Sequence, residues 1–459
     1  SEDNKDKRVA KQLFRLVKDL DNLRLLFLSA TPLYNSYKEI IWLLNILNLN
    51  DNRQEISIRD IFDKDGDFKK NEKGELVGKE LLIQKATGYI SYVRGDNPYI
   101  FPNKIYPMDY GSENSIKRIE PSKIDMVDNE IDTNIELLDL YMNNVGEYQE
   151  IGYLKILESI KEVLINEESE NKKKFNYTTL EPLIQGLTMI YPSVNINNDN
   201  FNYRELIGKN GLENIMKFNA KEKNNFVYKE SNFGRIFDES EIMKYSGKLY
   251  NLSRNIKKSK GIVMIYSQYI DGGCIPVALL LESMGITRYN NKSLMKNVVR
   301  NPIDAITMEE KKQGEKFIPA KYIMITGDKQ ISPNNLEEFK LASSDENMNG
   351  EKVKEIIISR AGSEGLDFTN IRQIHILEPW YNMSRIEQIV GRAVRNCSHK
   401  KLEYEERNTQ VFLYGTNDID RKEASDLYVY RLAENKAKKI GNVTRVLKET
   451  SIDCLLRES

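Results

Sequence analysis

Residues 354–395, KEIIISRAGSEGLDFTNIRQIHILEPWYNMSRIEQIVGRAVR, decide the fold of this chain. Two aliphatic runs, one around Ile356–Ile358 and one from Ile371 to Leu377, have strand length and little polar alternation, the pattern of strands buried on both faces. Behind the second run, Ser384 and Glu387 form an S-x-x-E box, which predicts the start of a helix. At about 100° per residue, Ile386, Ile389, Val390, Ala393 and Val394 fall on one face of that helix, and Gln388, Arg392 and Arg395 on the opposite one. The aliphatic face can lock the helix to a sheet, so the other presents two guanidiniums and an amide as a rigid row. Arginine forks onto phosphate or carboxylate oxygens, and two of them suit a phosphoryl group that accumulates charge during transfer. Periodicity alone reads the same face as an ordinary solvated helix surface.

Working outward, GIVMIYSQY (261–269), KYIMITG (321–327) and TQVFLYGT (409–416) are further aliphatic strands. CIPVALLLESMG (274–285) and the segment around SPNNLEEFKLA (332–342) are helical patterns between them. This alternation predicts an α/β fold, a parallel sheet with helices on both faces, whose chemistry sits at the carboxyl ends of the strands. Towards the amino terminus, residues 11–24 read as a helix and Leu25–Leu28 as a buried strand running into a turn at Pro32. Ser36 and Glu39 form a second capping box ahead of IIWLLNILNL (40–49). Residues 88–107 read as a strand with structured loops, residues from about 110 to 255 as mostly helical and charged, and residues 421–459 as a basic helical tail interrupted at Gly441.

Composition narrows the classes. The chain has 459 residues, 40% apolar and 30% charged, an ordinary globular balance with room for two or three domains. The net charge of −1 means that any nucleic-acid site is a local groove of Lys and Arg rather than a property of the whole surface. Three cysteines, Cys274, Cys397 and Cys454, lie far apart without metal-ligand spacing, which fits a reducing, intracellular compartment. Only two histidines are present, His375 and His399, so most histidine-based sites are excluded. No apolar run is long enough to span a membrane, and none opens the chain as a signal peptide would. The chain starts at Ser1 and soon reaches an apolar stretch at Leu25, as a piece of a longer protein would.

Several stretches carry a family resemblance. Q-x-x-G-R-x-x-R (388–395), preceded by EPWYN (378–382) and SRAGSEGLDF (359–368), resembles motifs VI and V of superfamily 2 helicases. LFLSATPLYNSYKEIIWLLNIL (26–47) resembles motif III in its Snf2-like form, and GIVMIYSQY resembles motif IV. With GYISYVRGDNPYIFP (88–102), YSQYIDGG (266–273) and the tail ENKAKKIGNVTRVLKETSIDCLL (434–456), the chain resembles the Snf2-like helicases and transcription ATPases of nucleocytoplasmic large DNA viruses. Their relatives include the poxvirus early transcription factor small subunit and nucleoside triphosphatase I. The likeness covers most of the chain and is weakest across the helical segment.

The resemblance implies two RecA-like lobes, with ATP in the cleft and nucleic acid across both. Residues 1–107 would be the end of the first lobe, 108–255 a mostly helical insertion, 256–420 the second lobe and 421–459 a helical tail. The phosphate loop and the acidic pair that hold ATP and Mg2+ in such enzymes are missing from this sequence. Gly208-Lys209, in LIGKNGLENI, lacks the first glycine and the preceding strand and reads as a surface turn. The chain would therefore not hydrolyse ATP alone.

By resemblance, Ser29, Ala30 and Thr31 would couple hydrolysis to lobe movement, and Gly362 and Ser363 would face nucleic-acid backbone. Gly365 and Asp367 would face the nucleotide ribose or the neighbouring motif. Arg395 would be the arginine finger, with Arg392 reaching the same phosphate and Gln388 bonding across the lobe interface. Ser267, Gln268 and Gly327 would line the nucleic-acid track or satisfy core and turn groups. Trp380 would anchor the motif VI helix.

Lys436, Lys438, Lys439, Arg445 and Lys448 would either track phosphates or form the outer face of a helix packed on the second lobe. The implied function is an ATP-dependent DNA translocase or helicase in viral transcription, within an infected-cell cytoplasm or virion. Its partners would be nucleic acid, a viral RNA polymerase or a second transcription-factor subunit, with no membrane. The competing class is a non-catalytic transcription-factor module that docks DNA or polymerase.

Overall fold

The computed structural model describes all residues except 1, 21, 93–98, 167–176, 199–200, 220–224, 230–232, 292, 297, 299, 313, 315, 361–364 and 456–459. The chain divides into two compact units, residues 96–381 with 386–431, and residues 1–95 with 382–385 and 432–459.

The larger unit is built on an eight-stranded sheet. Its strands are β1 (Asn103–Ile105), β2 (Tyr141–Asn143), β5 (Ile262–Tyr266), β6 (Thr287–Arg288), β7 (Lys321–Ile325), β8 (Glu355–Ile358), β9 (Ile371–Ile376) and β10 (Asn408–Thr416); β3 (Met216–Asn219) and β4 (Asn225–Tyr228) form a separate antiparallel pair. The order across the sheet is β1-β10-β9-β5-β8-β7-β6, and every pairing in it is parallel. β2 also pairs with β10, so β1 lies along Asn408–Gln410 and β2 along Tyr414–Thr416. The central strands are the aliphatic runs read from the sequence. All five residues of β5 and all four of β8 are buried, as a strand covered on both faces requires. Ile275–Ser283, a helix buried at every position, contributes to the same core.

The expected boundary at 255/256 does not separate two bodies. Residues 108–255 share the larger unit with the sheet, and β2 is one of its strands. This region contains the helices Glu147–Asn166, Tyr177–Thr188 and Gly247–Lys257, but residues 111–140 are mostly turns and irregular chain. Gly208-Lys209 opens the helix Gly208–Ile215 instead of forming a surface turn.

The smaller unit packs Glu39–Asn50, Val77–Ala86 and the C-terminal part of the helix Ser425–Glu449 around Leu44, Ile61, Leu82 and Val446. That long helix runs through Gly441 without a break, because a single glycine costs an otherwise favourable helix only about 1 kcal/mol. Val443, Val446 and Leu447 join the core of the smaller unit, whereas at the start of the same helix Asp426 accepts from the Thr416 hydroxyl of β10 at 2.7 Å. Leu25–Leu28 form no strand: Leu26 is 80% and Leu28 85% exposed, and no described segment pairs with them. The expected box at Ser36 is also rearranged. Tyr34 and Asn35 donate their N–H groups to the Glu39 carboxylate, at 2.7 and 3.3 Å, while Ser36 accepts from Lys38 N–H.

Candidate functional site: an arginine pair at the strand ends

The helix of the motif region spans Met383–Val390, and its cap is Asn382 rather than Ser384: the Asn382 Oδ1 accepts from Arg385 N–H at 3.1 Å. Ser384 donates to the Tyr34 carbonyl instead, at 3.0 Å. The aliphatic stripe is buried as expected, with Ile386, Ile389, Val390, Ala393 and Val394 each no more than 6% exposed. The helix ends at Val390, and the chain continues as turns, with Val394 N–H donating to the Val390 carbonyl at 2.9 Å. Gln388 therefore lies on the helix, exposed, whereas Arg392 and Arg395 project from the turns beyond it. They do not form one helical row with Gln388.

The turns bring both arginines to one acid. Arg395 Nη1 donates to Asp367 Oδ2 at 2.5 Å, and Arg392 Nη1 lies 3.7 Å from Asp367 Oδ1. Arg395 Nε donates to the Gly391 carbonyl at 2.9 Å, which fixes the guanidinium plane. The acid is placed by its neighbours: Gly365 has φ +75°, a left-handed conformation that glycine adopts without a Cβ penalty. Phe368, 2% exposed, donates its N–H to the Arg392 carbonyl at 2.9 Å. Gly362 and Ser363 lie outside the described residues.

The remaining residues sort by burial. Ser267 is buried at the end of β5, where its hydroxyl donates to Glu378 Oε1 at 2.9 Å, and Gln268 N–H donates to Glu378 Oε2 at 3.0 Å. The Ser267 hydroxyl is thus engaged in the core. Gly327 is exposed just past the end of β7. Ser29 and Ala30 are exposed, and the Ser29 hydroxyl accepts from Thr31 N–H at 3.1 Å, the local turn bond open to any Ser-x-Thr. Trp380 meets Tyr177 and Tyr381 edge-on, at 5.4 and 5.7 Å between centroids, with the Arg360 guanidinium 5.6 Å from its ring. Its neighbours are thus aromatic rings and a cation.

In the tail, Lys436 bonds Asn35 at 3.3 Å, Lys438 pairs with Glu434, Lys439 donates to the Asp65 carbonyl, Arg445 pairs with Glu449 and Lys448 lies 4.5 Å over the Tyr92 ring. These cations are engaged within their own unit.

Sequence reading missed a buried polar cluster in this region. Glu378, 2% exposed at the end of β9, also accepts from Thr188 Oγ1 at 3.1 Å, and burial pushes its carboxyl up to about 7. Beside it, Lys248 donates to the Leu377 carbonyl at 2.9 Å and pairs with Asp426 at 2.7 Å, both side chains being at most 1% exposed. Both histidines are structural: burial pushes His375 down to about 3 and His399 down to about 4, so each is a neutral ring bonded within the sheet region.

The profile of the family described as "Helicase conserved C-terminal domain" matches residues 247–397, which contain β5 to β9, Asp367 and both arginines. Residues 247–397 carry the helicase C-terminal domain. Its sheet is the RecA-like helicase fold, and its homologues are proteins of nucleocytoplasmic large DNA viruses. An Acanthamoeba polyphaga mimivirus protein, provisionally named an ATP-dependent RNA helicase, is 27% identical over 446 residues, covering 95% of this chain and 62% of its own length. A "Termination factor NPH-I homolog" of African swine fever virus is 24% identical over 430 residues, covering 89% of this chain and 53% of its own. The chain thus spans between about half and two thirds of the length of these two relatives. The crystal structure of the C-terminal part of the Fun30 ATPase domain aligns with 68% of this chain and 96% of its own at 11% identity and a TM-score of 0.38. Among the described residues, no helix is long and apolar enough to cross a membrane.

Proposed function

We propose that this chain is the C-terminal part of an ATP-dependent nucleic-acid translocase or helicase that acts on DNA in viral transcription. The observation that carries the proposal is the convergence of Arg392 and Arg395 on a single anionic point, Asp367, in the loop between β8 and β9. Two guanidiniums held by turns behind a buried aliphatic stripe are preorganised for the terminal phosphate of a nucleotide, where charge develops during transfer. Arg395 is the finger, because its Nε is fixed on Gly391 and its side chain, 45% exposed against 22% for Arg392, is the more open of the two; Arg392 shares the phosphate, and Gln388 bonds across the lobe interface.

ATP and Mg2+ belong mainly to a lobe that precedes this chain in the longer protein, for which the partial coverage of the viral relatives is support. Of residues 1–107, expected to end that lobe, the part in the smaller unit, 1–95, keeps this reading, while Asn103–Ile105 belong to the large sheet. The exposed Leu26 and Leu28 would complete a strand in its sheet, which puts Ser29–Thr31 at a strand end, the position from which hydrolysis is coupled to movement. RNA polymerase or another transcription-factor subunit is the protein partner proposed.

The test is Arg395→Ala in the longer protein carrying the ATP-binding lobe. ATPase turnover is expected to fall by about 10³-fold or more. Turnover near that of the unmodified protein refutes the finger assignment. Stimulation of that ATPase by duplex against single-stranded DNA and RNA then separates translocation on duplex DNA from the other activities.

A further inference from the structure

We propose that Asp367 is a positioning residue that occupies the phosphate's place between Arg392 and Arg395 and must be displaced when a polyphosphate binds. This inference rests on the reading of the arginine pair given above and concerns how that pair is kept ready.

The geometry is that of an anion already bound. The carboxylate gives one oxygen to each guanidinium, 2.5 Å to Arg395 and 3.7 Å to Arg392, the bridging arrangement two oxygens of one phosphoryl group would take. The backbone that carries the acid is tied to the turn that carries the arginines. One residue on, the buried Phe368 donates its N–H to the Arg392 carbonyl, so the loop that carries the acid and the turn that carries the bases are tied by backbone. Two residues back, Gly365 sets the turn.

Asp367 is half exposed, and Arg395 is exposed to 45%, so the pair opens to solvent and the carboxylate can rotate outward. Two anions cannot share the two guanidiniums at this spacing without repulsion. Binding is therefore an exchange of one anion for another. A monoanion has little to offer in that exchange, whereas the multiple charge of a di- or triphosphate tail can outbid one carboxylate. Asp367 in this role holds the two side chains in the geometry of the bound state and discriminates against weak anions. That differs from a contact to the ribose of the nucleotide, which would make Asp367 an aid to binding.

The experiment follows phenylglyoxal modification of Arg392 and Arg395, mapped by mass spectrometry, in the 459-residue chain, with inorganic pyrophosphate as the protecting anion. Pyrophosphate has no ribose, so a ribose contact cannot contribute. In Asp367→Asn, unprotected modification of Arg395 is expected to be faster, and half-protection is expected at about two- to five-fold less pyrophosphate, the range for release of a solvent-exposed ion pair. Asp367→Glu, which keeps the charge, is expected to protect as the unmodified chain does. Equal or weaker protection in Asp367→Asn overturns the exchange while leaving the arginine site intact. Absence of protection in both proteins overturns the phosphate reading of the arginines itself.

Discussion

Glu378 offers the most direct measurement of how the strand ends are held. Its carboxyl group is buried where β9 ends, with the Ser267 and Thr188 hydroxyls and the Gln268 N–H around it and the Lys248–Asp426 ion pair beside it. Loss of water is the largest influence and raises its pKa, the surrounding donors and the Lys248 charge oppose it, and the balance stands at about 7 against an ordinary value of 4.5. A folded-state value above the unfolded one means that the native chain holds the extra proton between these two values. This contribution to stability is complete below pH 4.5, declines as pH rises and is lost above pH 7. At about 1.36 kcal/mol per pH unit, the loss is on the order of 3 kcal/mol. Glu378→Gln keeps the shape and removes the titration. Its amide oxygen can accept from Gln268 N–H, and its amide nitrogen can donate to the Ser267 and Thr188 hydroxyls, which accept as readily as they donate.

Urea unfolding of both proteins from pH 5 to pH 8.5 measures the effect. The difference in stability between Glu378→Gln and the unmodified chain should shift by about 3 kcal/mol in favour of the variant across this range. Parallel profiles for the two proteins would show that Glu378 is not the group whose proton is held, and would refute the reasoning.

Three further outcomes follow from the same structure. Lys248→Met leaves Asp426 buried and unpaired and should cost about 3–5 kcal/mol, while the double variant Lys248→Met/Asp426→Leu should recover most of this in chemical denaturation. Gly247→Ala would put a Cβ 1.7 Å from the Asn144 carbonyl oxygen, so backbone must move, and a thermal melt should show a loss of about 1–3 kcal/mol or more. Gly365→Ala meets no atom of the described residues within 4 Å and bears the left-handed backbone cost of about 1 kcal/mol, so its melt should stay close to that of the unmodified chain.

How much was legible in the sequence follows from how local each signal is. The strands at 262, 321, 355, 371 and 408 are announced by aliphatic runs, because a strand covered on both faces leaves no room for polar alternation. The buried stripe of the motif helix was legible for the same reason. Its end was not: Arg392 and Arg395 fit the helical period, but the chain leaves the helix at Val390 and still keeps Ala393 and Val394 buried through turns. The cap passed to Asn382 because its oxygen reaches Arg385 N–H, a choice between adjacent polar residues that the S-x-x-E pattern does not resolve. β1 and β2, three residues each, owe their existence to a partner hundreds of residues away. Glu378, Lys248 and Asp426 are separated by 48 or more positions, so nothing local distinguishes them from exposed charges.

The tandem arrangement of β1 and β2 along β10 also bears on solubility. A nine-residue rim strand with a free hydrogen-bonding flank would invite strands from other chains to stack on it. Here the two ends of that flank are occupied by separate short segments, and only Val411–Leu413 lie between the two ladders. The opposite rim, β6, is two residues long. Neither border of the sheet offers a template long enough to seed a fibre, so damage that frees residues 103–105 or 141–143 should appear first as self-association rather than as loss of the central fold.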